Sequence, residues 1–281
     1  MNRQIVATKE IEAFGRHLRE EERSEATVEK YLREMRRFQL FLAGQALDKA
    51  RVASWKEHLL QKGNSPVTVN GKLAALNAFL RFLGLESCKV KSLKVQRRLF
   101  RDAAKELTKE EYARLLSAAR AAGRERLSLL METICATGIR VSEVKYVTAE
   151  AVRAGRAENS LKGKIRTILL PGKLCRKLLK YAQRQKIVSG EVFLTRDGKP
   201  LSRKLIWAEM KALCQQAGVE PSKVFPHNLR HLFARCFYRA TRDVARLADV
   251  LGHSSIETTR IYLISTGAEH IRALEQLRLV S

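Results

Sequence analysis

Apolar residues recur at helical spacing along nearly the whole chain, and the main stretch where strand-like patterning replaces them is 152–170. After Ser24, a residue suited to cap a helix, Val28, Tyr31, Leu32, Met35, Phe38 and Leu42 form one stripe. Ser65-Pro66 opens another that carries Leu73, Leu76, Phe79, Leu80 and Leu83. Similar spacing predicts helices over 8–21, 49–62, 108–121, 124–136, 141–148, 173–187, 202–217, 226–239, 242–251 and 256–263. Thr108, followed three residues later by Glu111, is a capping-box pattern that announces a new helix. In 152–170, Ile165, Thr167, Ile168, Leu169 and Leu170 lie between a Lys162-Gly163-Lys164 turn and a Pro171-Gly172 stop, which predicts a small hairpin. A short strand is expected at 192–194, before Asp197-Gly198. The expected fold class is therefore mainly α with a small β-sheet.

The 281 residues suffice for two domains, and 45% hydrophobic content with 15 Gly and 5 Pro excludes disordered and collagen-like chains. No run approaches 18 uncharged apolar residues, and acids occupy the N-terminal region where a signal peptide needs an apolar core. The expectation is a cytoplasmic protein with no membrane association. Cys88, Cys135, Cys175, Cys214 and Cys236 are odd in number and form no CxxC pair, so they read as small packing residues rather than disulfides or zinc ligands.

Charge narrows the partner. Lys and Arg number 54 against 29 Asp and Glu, a net +25, and such an excess points to nucleic acid. Residues 1–35 hold seven bases and eight acids, whereas 36–101 hold fourteen bases and three acids, so the later helices of the first domain are the expected DNA face. Six bases and no acid occupy 89–101, without an apolar period. The expected domains are 1–88, a basic linker at 89–104, and 105–281.

Four clusters remain once the core stripes are set aside: Thr137-Gly138-Ile139-Arg140, the hairpin lysines, His227-Asn228-Leu229-Arg230-His231, and Leu251-Gly252-His253 followed nine residues later by Tyr262. Taken singly, each is ordinary. A lone arginine after glycine is usually a helix-end residue, a lone tyrosine usually packs, and His227 with His231 lacks the carboxylate and third ligand of a metal motif. Together and in this order, they resemble the tyrosine recombinases, the family of phage integrases, Xer recombinases and Cre, over nearly the whole chain.

The resemblance implies a helical, SAM-like core-binding domain followed by a mixed α/β catalytic domain, the two forming a C-shaped clamp on duplex DNA. It assigns catalytic roles to Arg140, Lys162, His227, Arg230, His253 and Tyr262, with Lys164 as the rival lysine and Glu143 orienting Arg140. Two guanidiniums offer planar forks to the scissile phosphate. A phenol with a pKa of about 10 needs a proton acceptor, for which His227 is the candidate. Lys162 would protonate the leaving 5′-oxygen, and His253 would donate to a non-bridging oxygen. The phosphotyrosine conserves the energy of the broken bond, so no cofactor is expected. At 267–279, Ile271, Leu274 and Leu277 form one stripe of a short helix that must dock, on its own domain or on another; the resemblance implies docking into a neighbouring protomer and a homotetramer on DNA. The expected function is the integrase of a mobile element, with an accessory directionality factor among its expected partners. A Xer-type resolver and a catalytically idle DNA-binding protein of the same fold are the alternatives, and a bacterial, nucleoid-associated setting is expected.

Overall fold

The computed structural model describes residues 5–95, 103–161, 164–253, 255–260, 262 and 275–277. The chain divides into two compact units, Met1–Arg97 and Arg98–Ser281.

Among the described residues, the first unit holds four α-helices: α1 (Thr8–Glu20), α2 (Glu25–Leu42), α3 (Lys49–Gln61) and α4 (Pro66–Phe82). Ser65 caps α4 by accepting from the Thr68 N–H at 3.3 Å, and Pro66 stands at the first turn, where its missing N–H costs nothing. Ser24 sits at the N-cap position of α2, but its hydroxyl bonds the Thr27 hydroxyl at 2.8 Å and caps no backbone N–H. Rings fill the centre, with Phe14 edge-on to Phe79 at 5.2 Å and Phe38 tilted against Trp55 at 5.7 Å. After a 3-10 turn at Glu86–Cys88, residues 89–95 run back along this unit, and Val90 and Leu93 pack on its core.

The second unit opens with α5 (Lys109–Ala121), whose capping box closes with Thr108 N–H on Glu111 Oε2 at 2.8 Å and Glu111 N–H on Thr108 Oγ1 at 3.1 Å. Next comes α6 (Glu125–Thr137), which buries Leu127, Leu130, Met131 and Ile134. The helix predicted over 141–148 is instead a 3-10 turn at Val141–Tyr146 followed by α7 (Ala149–Ala154). The Val147 carbonyl accepts from the Val192 N–H, which interrupts the ladder, and Thr148 then caps α7. Strands β1 (Arg156–Leu161) and β2 (Lys164–Leu169) pair antiparallel, with Arg156 opposite Leu169.

Then follow α8 (Gly172–Arg184), α9 (Arg203–Lys211), α10 (Cys214–Ala217), α11 (Pro226–Thr241), α12 (Val244–Leu251) and α13 (Ile256–Arg260). The expected strand at 192–194 is reduced to isolated bridges, Thr148 with Glu191 and Leu194 with Pro200. The helix predicted over 202–217 breaks between α9 and α10, where the Leu213 N–H turns to the Met210 carbonyl; the tighter turn lets Leu213, Cys214 and Ala217 all reach the core. Most of the terminal helix expected at 267–279 lies outside the described residues. Among those that are described, no helix is long and apolar enough to cross a membrane.

Candidate active site

Two glycines set the backbone of the site. Gly138 ends α6 at φ +65°, and a Cβ there would stand 2.4 Å from the Phe233 ring and 2.9 Å from Leu251. Gly252 ends α12 at φ +63°, and a Cβ there would stand 2.3 Å from Arg166. Both positions therefore demand glycine for conformation and for space. Each delivers its successor into the same place: Arg140 follows Gly138 by two residues, and His253 follows Gly252 directly.

Arg140 begins the 3-10 turn and is anchored by Glu143, whose Oε2 accepts the Arg140 backbone N–H at 2.7 Å and whose Oε1 accepts Arg140 Nη1 at 3.0 Å. The same carboxylate receives Arg166 Nη1 from β2 at 2.6 Å and Asn159 Nδ2 from β1 at 3.4 Å. Burial alone would raise the Glu143 pKa. The Arg140 N–H and the two guanidiniums outweigh it and hold the acid below its ordinary value. Arg166 also donates through Nη2 to the Val250 carbonyl at 2.7 Å, which ties the hairpin to α12.

Arg230, on the first turns of α11, is 1% exposed. Its guanidinium donates to the Gly138 carbonyl, to the Leu251 carbonyl at 2.9 Å and to His253 Nε2 at 2.8 Å. Since a guanidinium only donates, His253 Nε2 accepts, and its Nδ1–H is left to donate to Thr259 Oγ1 at 2.8 Å. That neutral tautomer fits the pKa of His253, pushed down to about 4 by burial and by Arg230, Arg140 and Arg166. His227 is likewise lowered, by burial first and then by Arg230 and Arg140.

Tyr262 follows α13 and is buried with Ala234, Leu247 and Leu251. Its ring lies near-parallel to that of His253 at 5.6 Å and is flanked by His231 at 4.5 Å and His227 at 6.1 Å. A hydrogen bond between Arg230 and the Tyr262 hydroxyl favours the charged guanidinium against the desolvation that lowers its pKa.

Arg140, His227, Arg230, His253 and Tyr262 thus line one cleft of about 380 Å³ with Ile139, Thr258 and Arg203. Lys162 lies outside the described residues; Lys164 begins β2. Sequence reasoning missed Arg166, Thr259 and Arg203. Arg166 had a weak signal, a base in a strand otherwise dominated by β-branched and apolar residues, while Thr259 and Arg203 had none. Among the described residues, no three His, Cys, Asp or Glu side chains are grouped as a metal set.

The model of the phage integrase family matches residues 105–269, and that of the phage integrase N-terminal SAM-like domain matches 11–87. The chain is 33% identical to tyrosine recombinase XerA of Thermococcus kodakarensis, over 96% of this chain and 95% of the relative. It belongs to the tyrosine recombinase family. Its fold is shared by the Tn1549 transposon integrase in complex with transposon right end DNA, at a TM-score of 0.71 and 16% identity over 97% of this chain and 99% of that one. The XerH recombinase bound to its difH substrate also shares it, at a TM-score of 0.69 and 19% identity over 96% and 85%. The tyrosine recombinase is accordingly mainly helical with a two-stranded sheet, as its sequence predicted.

Proposed function

We propose that this tyrosine recombinase cuts and rejoins duplex DNA at a specific site through a 3′-phosphotyrosyl bond to Tyr262. The observation that carries the reading is the convergence of two arginines, two histidines and Tyr262 on one cleft. Tyr262 Oη attacks phosphorus, its proton passes to His227, and the 5′-oxygen leaves with a proton from Lys162. His227 suits the acceptor role because its lowered pKa keeps it neutral at neutral pH. Arg230 and Arg140 clamp the non-bridging oxygens, and the contact of Arg230 with the attacking hydroxyl stabilises developing phenolate. A bound phosphate neutralises the arginine field around His253, raises its pKa, and lets Nε2 exchange Arg230 for a phosphate oxygen.

Full-length similarity supports a Xer-type recombinase resolving directly repeated sites, since the relative at 33% identity spans nearly all of both chains. Integration of a mobile element is the second reading, supported by the Tn1549 fold likeness. Assembly as a homotetramer is proposed with either; a lambda integrase tetramer bound to a Holliday junction shares the fold at a TM-score of 0.71.

The test is incubation with nicked duplexes carrying candidate sites. A protease-resistant DNA–peptide adduct mapped to Tyr262 is expected; an adduct at Tyr238 or another tyrosine overturns the assignment. A plasmid with two directly repeated sites then separates the readings, because resolution supports the Xer type and capture of a linear element end supports the integrase. A substrate with a bridging 5′-phosphorothiolate, whose sulfur leaves without a proton, should rescue Lys162→Ala; rescue of Lys164→Ala alone reassigns the lysine.

A further inference from the structure

Residues 89–95 have the composition of a free linker, yet they are held to α4 by a ladder of side-chain amides. Asn77 Nδ2 donates to the Val90 carbonyl at 2.9 Å, and its Oδ1 accepts the Val90 N–H at 3.2 Å. Asn70 does the same with Leu93, at 2.9 and 2.7 Å. Each asparagine thereby imitates the edge of a neighbouring strand. The spacings match: seven residues of helix rise about 10 Å, and three residues of extended chain cover about 10 Å. A third anchor, Lys56 Nζ from α3, donates to the Lys91 carbonyl at 3.0 Å. Val90 and Leu93 face the core of the first unit, while Lys91 and Lys94 are exposed.

Five polar backbone groups satisfied by three side chains exceed what joining two domains requires. We infer that the ladder builds a preformed phosphate-binding edge, with Lys91 and Lys94 fixed outward to meet the backbone of duplex DNA. This rests on the DNA reading above. Fixing the main chain beforehand lowers the ordering cost that a flexible basic linker would meet on binding. The amides set the backbone, and the lysines make the contact.

The experiment measures binding of the full-length chain to one fluorescent duplex against salt concentration. The double substitution Lys91→Gln with Lys94→Gln should reduce the steepness of log K against log salt by about 1.8, two phosphate contacts at about 0.9 each. The double substitution Asn70→Leu with Asn77→Leu leaves charge unchanged. It should speed hydrogen exchange at the Val90 and Leu93 amides and weaken binding several-fold. An unaltered slope in the lysine variant, with wild-type binding intact, overturns the inference and leaves the recombinase reading standing. So does full affinity in the asparagine variant once those amides exchange freely. Failure of the wild-type chain to bind any duplex would overturn the DNA reading itself.

Discussion

In the first unit the buried side chains are Phe14, Phe38, Trp55, Phe79 and their aliphatic neighbours, and among the described residues one ionisable group, Glu34, is buried with them. In the second unit, Glu143 and Arg230 are buried together with Thr133, Thr137, Asn159, Asn228 and Thr259. Taking an ion out of water costs several kcal/mol unless partners replace the lost hydration. Here they do: Glu143 receives four hydrogen bonds, and Arg230 reaches two carbonyls and an imidazole. The first unit spends its interior on apolar packing and keeps its cations outside. The second holds cations inside, a poor way to gain stability and a good way to present positive charge in a dry cleft.

The sharpest break in that comparison comes from Tyr262→Phe. Removing one oxygen should abolish the covalent adduct completely while duplex affinity, measured by gel shift, stays at its wild-type value. Arg230→Lys comes next. An ammonium cannot span the Gly138 and Leu251 carbonyls and still face the cleft, so single-turnover cleavage should fall about 10²–10³-fold. Retention of wild-type cleavage would detach Arg230 from the chemistry.

A smaller effect contrasts two glycines. Gly138→Ala meets a left-handed φ and the Phe233 ring and should cost about 2–4 kcal/mol. Gly44→Ala, in the first unit at φ +78° with nothing within 4 Å of its Cβ, should cost about 1 kcal/mol. Urea midpoints of the two variants decide, and equal losses would sink the steric account.

The smallest effect is acid sensitivity. His253 falls from an ordinary 6.5 to about 4 in the folded chain, so between those values the unfolded chain binds more protons and stability declines as pH falls. With solvent screening, about 1–2 kcal/mol is expected, and His253→Gln should remove it. Glu143, held below its ordinary value, adds stability that is present above about 4.5 and lost as pH falls further. A flat stability profile from pH 7 to 4 in the wild-type chain would contradict the His253 expectation, and a flat profile below pH 4.5 would contradict that for Glu143.

The legible parts of the molecule were those written in local pattern. Helix stripes, the capping box at Thr108 and the paired strands of the hairpin are decided within a few residues, and the structure reproduces them. The 3-10 turn at Val141–Tyr146 was not legible, because a backbone bond from Val192, some fifty residues away, interrupts the helix. Residues 89–95 misled for a similar reason: their composition is that of a linker, and the asparagines that bind them sit a dozen or more residues earlier. At the cleft, Arg140, His227, Arg230, His253 and Tyr262 were legible as an ordered series. Arg166 and Thr259 were not, since each acts through a neighbour, Glu143 and His253 respectively.

The fit of Arg166 against Gly252 has a consequence for how sequences of this kind can drift. The arginine occupies the space where a side chain at 252 would begin, and its other end grips both Glu143 and Val250. A change at either position therefore alters what the other can tolerate. Shortening Arg166 would vacate room beside residue 252 while leaving Glu143 with one guanidinium fewer; enlarging residue 252 would first have to displace that arginine. Positions 143, 166 and 252 should consequently vary as a set, so that the order in which substitutions arrive, and not only their identity, decides which descendants remain functional.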